Sequence, residues 1–393
     1  MMTYLAKIGE LTLKGSNIQE FENLLRKNVQ KCLKDCKDVK ISLRAGRLYI
    51  DCEEASSPKV EKLLSHLIGI TGWAKVSVCE KTIEAITDEV MNLAKIEAQK
   101  GAKTFKIDAR RADKSFPLNS YEICCEAAGP VESIMKVDVH KPDVVFYVEV
   151  RERVFVYCTS NKGCRGLPVG SSGKALLLLS GGLDSPVAGY RMLRRGMKVE
   201  CCYFHSYPYT SEEAKQKVVT LAQKLSFYGI TLYLNIIPFT DVQMKIKQNS
   251  PVAWTTLMLR VCMMKTANIL ARRCKADCIV TGESVGQVAS QTIENMTVTE
   301  HFAELPLLRP LCGMDKEEII SDSLWIDTYE TSILPYEDCC VLFSPKHPVL
   351  RGTVEQAEEI YKGLEIDDLI QKAFDEREII KIEFDKEPEH KTE

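Results

Sequence analysis

The sequence lacks the features of exported, membrane-spanning and small metal-binding proteins. It has no apolar run long enough to span a bilayer, and its first residues lack the basic start and long apolar stretch of a signal peptide. None of its 16 cysteines lies in a CxxC pair, which argues against zinc-ribbon and thioredoxin motifs. We therefore expect a cytoplasmic protein with reduced thiols and no membrane contact.

Length and charge indicate several domains with different partners. A chain of 393 residues is too long for one compact core, so two or three domains are expected. The net charge is −3, but residues 1–174 hold 28 Lys+Arg against 23 Asp+Glu, whereas residues 175–393 hold 24 against 32. The excess of positive charge favours the first part as the one that binds a phosphate backbone. The alternative is that surface charge varies along the chain without any such function.

The first 160 residues alternate strand and helix signals and are typical of small α+β domains. The spacing predicts a helix over 17–33, a hairpin around Ala45-Gly46 and a second hairpin over 144–159. Glycines and a proline make residues 161–173 a predicted linker. The predicted divisions are 1–54 (running to about 75 if the next strand belongs to it), 55–160, 161–173, 174–383 and a loose charged tail at 384–393.

The second half alternates short apolar strands with longer helical patterns. Apolar strands are predicted at 174–179, 199–204, 231–237 and 278–281, separated by helices at 186–195, 211–227 and 251–274. This alternation predicts an α/β domain with a doubly wound, Rossmann-like parallel sheet and helices on both faces.

A short polar loop joins the first of these strands to its helix. Four leucines run into residues 180–185, which read Ser180-Gly181-Gly182-Leu183-Asp184-Ser185. Glycines let backbone amides approach an anion, the next helix N-terminus adds its dipole, and Asp184 suggests Mg²⁺ between it and phosphates. The alternative is a tight turn with a capping residue. The loop is neither a Walker motif nor a GxGxxG motif.

This hexapeptide resembles the loop of the PP-loop ATP pyrophosphatases, which cleave ATP between its α and β phosphates and adenylate an oxygen. Further stretches resemble the tRNA 4-thiouridine synthetase family. They are GELTLKGSNIQEF (9–21), FKIDARRADKSF (105–116) with Lys141-Pro142-Asp143, TGESVGQVASQT (281–292) and PYEDCC (335–340). The resemblance covers nearly the whole chain and implies a ferredoxin-like domain, a THUMP RNA-binding domain and a PP-loop catalytic domain, in that order.

The sequence departs from the family pattern at two points. Arg165 stands where the family usually has the first glycine of Gly-Gly before Leu-Pro. The chain also stops before the rhodanese domain that some relatives carry, which calls the associated role in thiamine biosynthesis into question.

The resemblance assigns ATP and tRNA contacts to particular positions. Lys265 is a weaker phosphate candidate. The implied ATP-binding residues are Leu178, Leu179, Ser180, Gly181, Gly182, Ser185, Tyr203, Phe204, Arg260, Gly282, Gln291 and Lys316, with Asp184 as the catalytic residue that holds Mg²⁺. The implied tRNA-phosphate contacts are Lys14, Arg110, Arg111 and Lys114. For the two aromatic residues the alternative is a place in the core, and for the basic residues a solvated surface.

The resemblance places the sulfur chemistry at Cys339 and Cys340. The match favours Cys339 as the catalytic, persulfide-carrying residue, and a gap would shift this to Cys340. An iron–sulfur cluster on Cys262, Cys339 and Cys340 is the less favoured alternative, because no CxxC accompanies Cys262.

The implied reaction adenylates O4 of uridine eight of tRNA and replaces that oxygen with persulfide sulfur, giving 4-thiouridine. The implied partners are tRNA, a cysteine desulfurase that loads the persulfide, and a second copy of the chain in a homodimer. Two other interpretations stay open: a different PP-loop tRNA-modifying enzyme, or a tRNA-binding module with a vestigial ATP site.

Overall fold

The computed structural model describes residues 1–9, 17–336 and 345–391. Residue contacts divide the chain into two units, Met1–Arg165 and Gly166–Glu393. Within the described ranges, no helix combines the length and the apolar character that crossing a bilayer requires.

The first unit is built on one continuous mixed sheet. In its described residues, the strands lie in the order β2-β3-β1-β4-β8-β7-β5-β6, with β9 beside β4. Its strands and helices are β1 (Met2–Ile8), α1 (Ile18–Cys32), β2 (Lys40–Arg44), β3 (Arg47–Cys52), α2 (Ser57–His66), β4 (Ile70–Cys79), α3 (Ile83–Gln99), β5 (Thr104–Arg111), α4 (Ser120–Val131), β6 (Lys136–Val137), β7 (Val144–Val150), β8 (Val154–Tyr157) and β9 (Asn161–Lys162).

Strand β4 joins the two α+β parts of this unit. Its residues up to Val76 pair with β1, and its residues from Ser77 onward pair with β8. Both predicted hairpins are confirmed, β2–β3 and β7–β8. At the first of them Ala45 and Gly46 have φ of 46° and 70°, the positive values that a two-residue turn with matching twist requires.

The sheet of the first unit curls so that distant strands touch across its inner face. Tyr49 of β3 stacks on Phe155 of β8, with ring centroids 5.0 Å apart, although two other strands lie between them. Beside this pair, the buried Glu149 carboxylate accepts hydrogen bonds from Arg47 Nε at 3.2 Å and Arg151 Nε at 2.9 Å. An ion cluster thus links β3 to β7 across the curled sheet.

Replacing Glu149 with glutamine is expected to destabilise the protein by about 3 kcal/mol near neutral pH, because two largely buried guanidinium groups lose their counter-charge. Burial alone would raise the pKa of Glu149, but Arg47 and Arg151 outweigh it and hold the pKa below its ordinary value. The stabilisation is therefore present above the ordinary glutamate pKa of about 4.3 and is lost as the pH falls through the lower folded value. Denaturant unfolding of both proteins across this pH range measures it.

The exposed Glu152 in the next turn provides the control, since its replacement by glutamine removes the same charge without removing a buried ion pair. A Glu149 variant as stable as the Glu152 variant at neutral pH would contradict the assignment.

The second unit contains the predicted doubly wound sheet. In its described residues, the strand order is β14-β13-β10-β11-β12-β15-β16. The first five strands of this order pair in parallel, and β15 pairs antiparallel with both β12 and β16. Its strands and helices are β10 (Lys174–Leu178), α5 (Asp184–Arg194), β11 (Lys198–His205), α6 (Glu212–Gly229), β12 (Thr231–Pro238), α7 (Thr240–Asn249), α8 (Thr255–Cys274), β13 (Cys278–Val280), α9 (Ile293–His301), β14 (Leu307–Leu308), α10 (Lys316–Trp325), α11 (Tyr329–Ser332), α12 (Val354–Leu364), α13 (Asp367–Asp375), β15 (Glu378–Glu383) and β16 (Glu389–Lys391).

Helices cover both faces of this sheet, as predicted. Leu176 belongs to a buried cluster with Met258 and Cys262 of α8. The next residue, Leu177, points to the other face, where a Cβ on Gly189 of α5 would lie 2.6 Å from its side chain. Because both faces of β10 are buried, its leucines follow one another without polar residues between them.

Two predicted irregular segments are more structured than expected. In the predicted linker, Asn161–Lys162 forms β9, and Leu167 and Val169 are buried. The prediction of a loose tail is wrong for the described part of it, which ends at Lys391. Phe384 is 3% exposed and packs edge-on against Phe227, and β16 pairs with β15.

Candidate active site

The predicted phosphate loop lies where the parallel sheet reverses its strand order. β11 and β12 lie on one side of β10, and β13 and β14 lie on the other. The connections that leave β10 and β13 therefore run apart and leave a crevice at the carboxyl ends of these strands. Residues 180–185 follow β10 and Gly282 follows β13, so the predicted site residues meet at this crevice.

Two serines hold the loop in a closed turn. The Ser180 N–H donates to Ser185 Oγ at 2.9 Å, and the two hydroxyl oxygens lie 3.1 Å apart. The Gly182 N–H donates to Ser180 Oγ at 3.3 Å. Both hydroxyls therefore shape the loop itself, a role that the sequence motif does not reveal.

Two glycines of the site are needed for different reasons. A Cβ on Gly282 would lie 2.7 Å from the Ser185 nitrogen, so the close approach predicted at Gly282 is to the protein's own loop. Among the described residues, a Cβ on Gly182 would meet only Ser180 Oγ, at 3.5 Å. Packing against that part of the chain does not demand glycine at 182, which is consistent with a ligand approaching the backbone there.

Asp184 is the first residue of α5, and both of its carboxylate oxygens have partners. Lys316 Nζ lies 2.8 Å from Oδ1, and Gln287 Nε2 donates to Oδ2 at 3.0 Å. The fold thus brings together two predicted site residues, Asp184 and Lys316, that are 132 positions apart. Gln287 was not predicted, although it lies inside the stretch 281–292 that carries the family resemblance.

An open pocket lies beside the loop. Met263, Thr281 and Glu283 belong to its wall and were not predicted. The predicted residues in its wall are Leu178, Leu179, Ser180, Gly182, Asp184, Ser185, Tyr203, Phe204, Arg260, Gly282 and Gln291.

Gln291 has an unsatisfied group in this pocket. Its side chain is 7% exposed, and among the described residues its Oε1 has no hydrogen-bond partner although it is buried. Leaving a buried amide oxygen unpaired costs on the order of 1–3 kcal/mol. An amino group on a ligand would satisfy it, so the residues present fit an adenine base.

The two predicted adenine-stacking residues also belong to the core. Tyr203 and Phe204 are 2% and 4% exposed, and the Phe204 ring centroid lies 4.6 Å from that of Phe239. They border the pocket but present little ring surface to it.

Lys265, predicted as a weaker phosphate contact, lies away from the pocket. It lies five residues after Arg260 on α8, which places it on a different side of the helix. Its ammonium lies 5.4 Å from the Phe302 ring centroid and 5.6 Å from that of Tyr361. It does not belong to the residues that line the described pocket.

Glu283 joins two arginines in the pocket wall. Its Oε2 accepts from Arg309 Nε at 2.9 Å and from the Thr281 hydroxyl at 2.9 Å, and its Oε1 lies 3.4 Å from Arg260 Nη2. Burial alone would raise the pKa of Glu283, but Arg260 and Arg309 outweigh it and lower the pKa. The carboxylate is therefore ionised at neutral pH.

The chain that leads into residues 337–344 is tied to the loop and to α6. Ser332 Oγ donates to the Gly182 carbonyl at 3.4 Å. Lys217, 6% exposed on α6, donates from its ammonium to the carbonyl oxygens of Leu334 at 2.9 Å and Tyr336 at 3.4 Å. Sequence reasoning missed Lys217 because nothing in the helical pattern of α6 distinguishes it from a surface lysine.

The predicted sulfur-carrying Cys339 and Cys340 lie outside the described residues. Cys262, the third cysteine of the iron–sulfur alternative, is fully buried in α8, and burial raises its pKa well above the ordinary value. Across the described ranges, no three His, Cys, Asp or Glu side chains gather as a metal-binding group.

Two of the predicted tRNA contacts of the first unit, Arg110 and Arg111, do not share one surface. Arg110 and Arg111 are consecutive in β5 and point to opposite faces of the sheet. Arg110 is exposed, whereas Arg111 Nη1 donates to the Phe116 carbonyl at 3.1 Å and so helps to fold the following loop. Lys114 is exposed on that loop, and Lys14 lies outside the described residues.

Known proteins resemble this chain over nearly its full length. A probable tRNA sulfurtransferase of Treponema pallidum (strain Nichols) is 48% identical over 384 residues, 96% of each chain. One of Thermoanaerobacter sp. (strain X514) is 45% identical over 383 residues, 96% of this chain and 99% of its own. The crystal structure of a 4-thiouridine synthetase–RNA complex with bound ATP matches with a TM-score of 0.89 and 36% identity, covering 98% of this chain and 100% of that one.

A doubly wound sheet with this loop and pocket defines a PP-loop nucleotide-binding protein. The profile of the family described as Thiamine biosynthesis protein (ThiI) matches residues 170–366. Profiles of the ThiI ferredoxin-like domain and the THUMP domain match residues 3–74 and 80–159. The chain belongs to the tRNA sulfurtransferase (ThiI) family, and the family resemblance and fold class expected from the sequence are confirmed.

Proposed function

We propose that this protein transfers persulfide sulfur to uridine eight of tRNA in an ATP-dependent reaction that passes through an adenylated uridine and yields 4-thiouridine. The observation that carries the proposal is the pocket beside residues 180–185, where the loop, Arg260 and the unpaired Gln291 Oε1 provide complementary groups for phosphates and an adenine amino group. The tRNA sulfurtransferase relatives supply the substrate class.

In the first step, O4 of the uridine bonds to the α-phosphorus of ATP and pyrophosphate leaves. The backbone amides of the loop and the N-terminus of α5 stabilise the negative charge on the phosphates. The Asp184 carboxylate is the type of oxygen ligand that Mg²⁺ takes, and the ion would share this carboxylate with Lys316. When bound there, this ion would screen the phosphate charge.

In the second step, the terminal sulfur of an enzyme persulfide bonds to C4 of the uridine and AMP leaves with the former O4. The sulfur–sulfur bond to the carrier cysteine is then cleaved by a second thiol, which forms a disulfide that an external thiol reductant must reset. Cys339 is the proposed carrier, with Cys340 as the alternative. A cysteine desulfurase is the proposed source of the persulfide, and a homodimer remains a prediction of the family resemblance.

A single reaction tests this function. The protein is incubated with an unmodified tRNA transcript, ATP, Mg²⁺, cysteine, a thiol reductant and a cysteine desulfurase, and the nucleosides of the digested tRNA are resolved. We expect 4-thiouridine only when ATP is present, and a transcript with cytidine at position eight should stay unmodified. A thionucleoside at another position would instead identify a different PP-loop tRNA-modifying enzyme.

If tRNA binds and no thionucleoside forms, sulfide as donor separates the two remaining explanations. Product with sulfide shows that the desulfurase was the wrong partner. No product and no ATP–pyrophosphate exchange would identify an RNA-binding module with a vestigial ATP site.

A further inference from the structure

Arg309 lies behind the pocket wall, and each of its three guanidinium nitrogens donates a hydrogen bond within the protein. Its Nε donates to Glu283, its Nη1 donates to Glu300 at 2.5 Å, and its Nη2 donates to the Met296 carbonyl at 3.0 Å. Its side chain is 10% exposed. Arg309 does not reach the pocket, and its contact with the pocket runs through Glu283.

Glu283 is an unfavourable residue for a pocket that binds a polyanion. Its side chain is 5% exposed, so water screens its negative charge poorly. If Arg260 were the only cation beside Glu283, the two charges would cancel. The pocket wall would then offer no net positive charge to a triphosphate. With Arg309 bonded to Oε2, the Glu283 carboxylate has two cationic partners instead of one. Glu300 also pairs with Arg309, but its side chain is 60% exposed, so water screens its charge far better than that of Glu283. Arg260 is the cation of the group that faces the pocket.

We propose that Glu283 and Arg309 are positioning residues for Arg260. Glu283 fixes the Arg260 guanidinium in the pocket wall, and Arg309 cancels the charge of Glu283 so that the positive charge of Arg260 is available to the phosphates of ATP. This inference rests on the proposed function, since it takes ATP as the ligand of the pocket.

Charge rescue tests the inference. Arg309→Met is expected to raise the Kd for ATP about tenfold or more, because Glu283 then opposes the phosphates. The double variant Glu283→Gln/Arg309→Met removes that charge but keeps an amide oxygen that can still accept from Arg260, so it should recover most of the affinity. If Glu283 and Arg309 only supported packing, the double variant should bind ATP more weakly than Arg309→Met, because it has lost more of the hydrogen bonds around Glu283. ATP binding is measured by calorimetry, and thermal unfolding is followed in parallel.

Two conservative variants keep the test decisive if Arg309→Met does not fold. Arg309→Lys retains the charge and is expected to bind ATP within about threefold of the unaltered protein. Glu283→Asp retains every charge but shortens the side chain by one methylene, and it should weaken ATP binding because Arg260 is no longer held. Arg272 on α8 and its exposed ion-pair partner Glu304 provide the matched control pair, whose replacement should leave ATP binding unchanged.

Equal weakening in Arg309→Met and in the double variant would overturn the inference, as would unchanged affinity in Glu283→Asp. Failure of the unaltered protein to bind ATP would instead count against the proposed function, so the two failures are distinguishable.

Discussion

Replacing Asp184 with asparagine is expected to lower ATP turnover by roughly 10²–10³-fold while leaving tRNA binding unchanged. The substitution keeps the shape of the side chain and removes its charge. Lys316 Nζ lies 2.8 Å from the carboxylate, and asparagine leaves that ammonium without its counter-charge. The substitution would also remove the carboxylate proposed to hold Mg²⁺. ATP–pyrophosphate exchange with unmodified tRNA measures turnover, and a gel-shift titration measures tRNA binding.

Asp241 offers a matched control in the same unit. It also pairs with a lysine, Lys372 at 3.0 Å, but its side chain is 64% exposed and lies outside the pocket wall. Asp241→Asn should therefore retain ATP turnover. Turnover that survives in Asp184→Asn would remove Asp184 from the mechanism, and loss of both activities would indicate a folding defect rather than loss of a charge.

The sequence predicts the parts of this fold that depend on local pattern. The leucine run before Ser180 predicts a strand buried on both faces, and Leu176 and Leu177 do pack against opposite helix layers. The predicted hairpin around Ala45-Gly46 forms because both residues adopt positive φ. In such segments, adjacent residues hold most of the information that determines the structure.

The pairings that depend on distant residues are not visible in the sequence. The shared strand β4 changes its partner between Val76 and Ser77 without any break in its pattern. The edge strand β16 lies in a charged segment that resembles a loose tail, and only its pairing with β15 gives it regular structure. Short edge strands bury little surface, so their apolar signal is weak.

Some residues of the candidate site could likewise be predicted from local sequence, and others could not. The motif predicts the loop, and the family resemblance predicts most of the pocket wall, because these residues lie in short matched stretches. The partners behind the wall are different. Arg309 lies 26 residues after Glu283 and Lys217 lies 117 residues before Leu334, so only the fold brings each pair together.

Replacing the sulfur-carrying cysteine with serine is expected to reduce 4-thiouridine formation to background while ATP use continues. Serine keeps the size of the side chain but cannot hold a persulfide. Cys339→Ser and Cys340→Ser are both required, because the family match leaves the register between these neighbours open. The measurements are thionucleoside content of the digested tRNA and pyrophosphate release, made on the same reaction.

The adjacent pair Cys124-Cys125 supplies the control, since it presents the same dipeptide in the first unit, and Cys125 is exposed. Cys125→Ser should keep both activities. The chain before residues 337–344 is held to the loop by Ser332 and to α6 by Lys217, so a serine at 339 or 340 is not expected to disturb the ATP pocket. Loss of pyrophosphate release together with thiolation, in both variants, would contradict the separation of adenylation from sulfur transfer. If only Cys339→Ser blocks labelling of the protein by sulfur-35 from cysteine and the desulfurase, Cys339 is the carrier, and the reverse result assigns that role to Cys340.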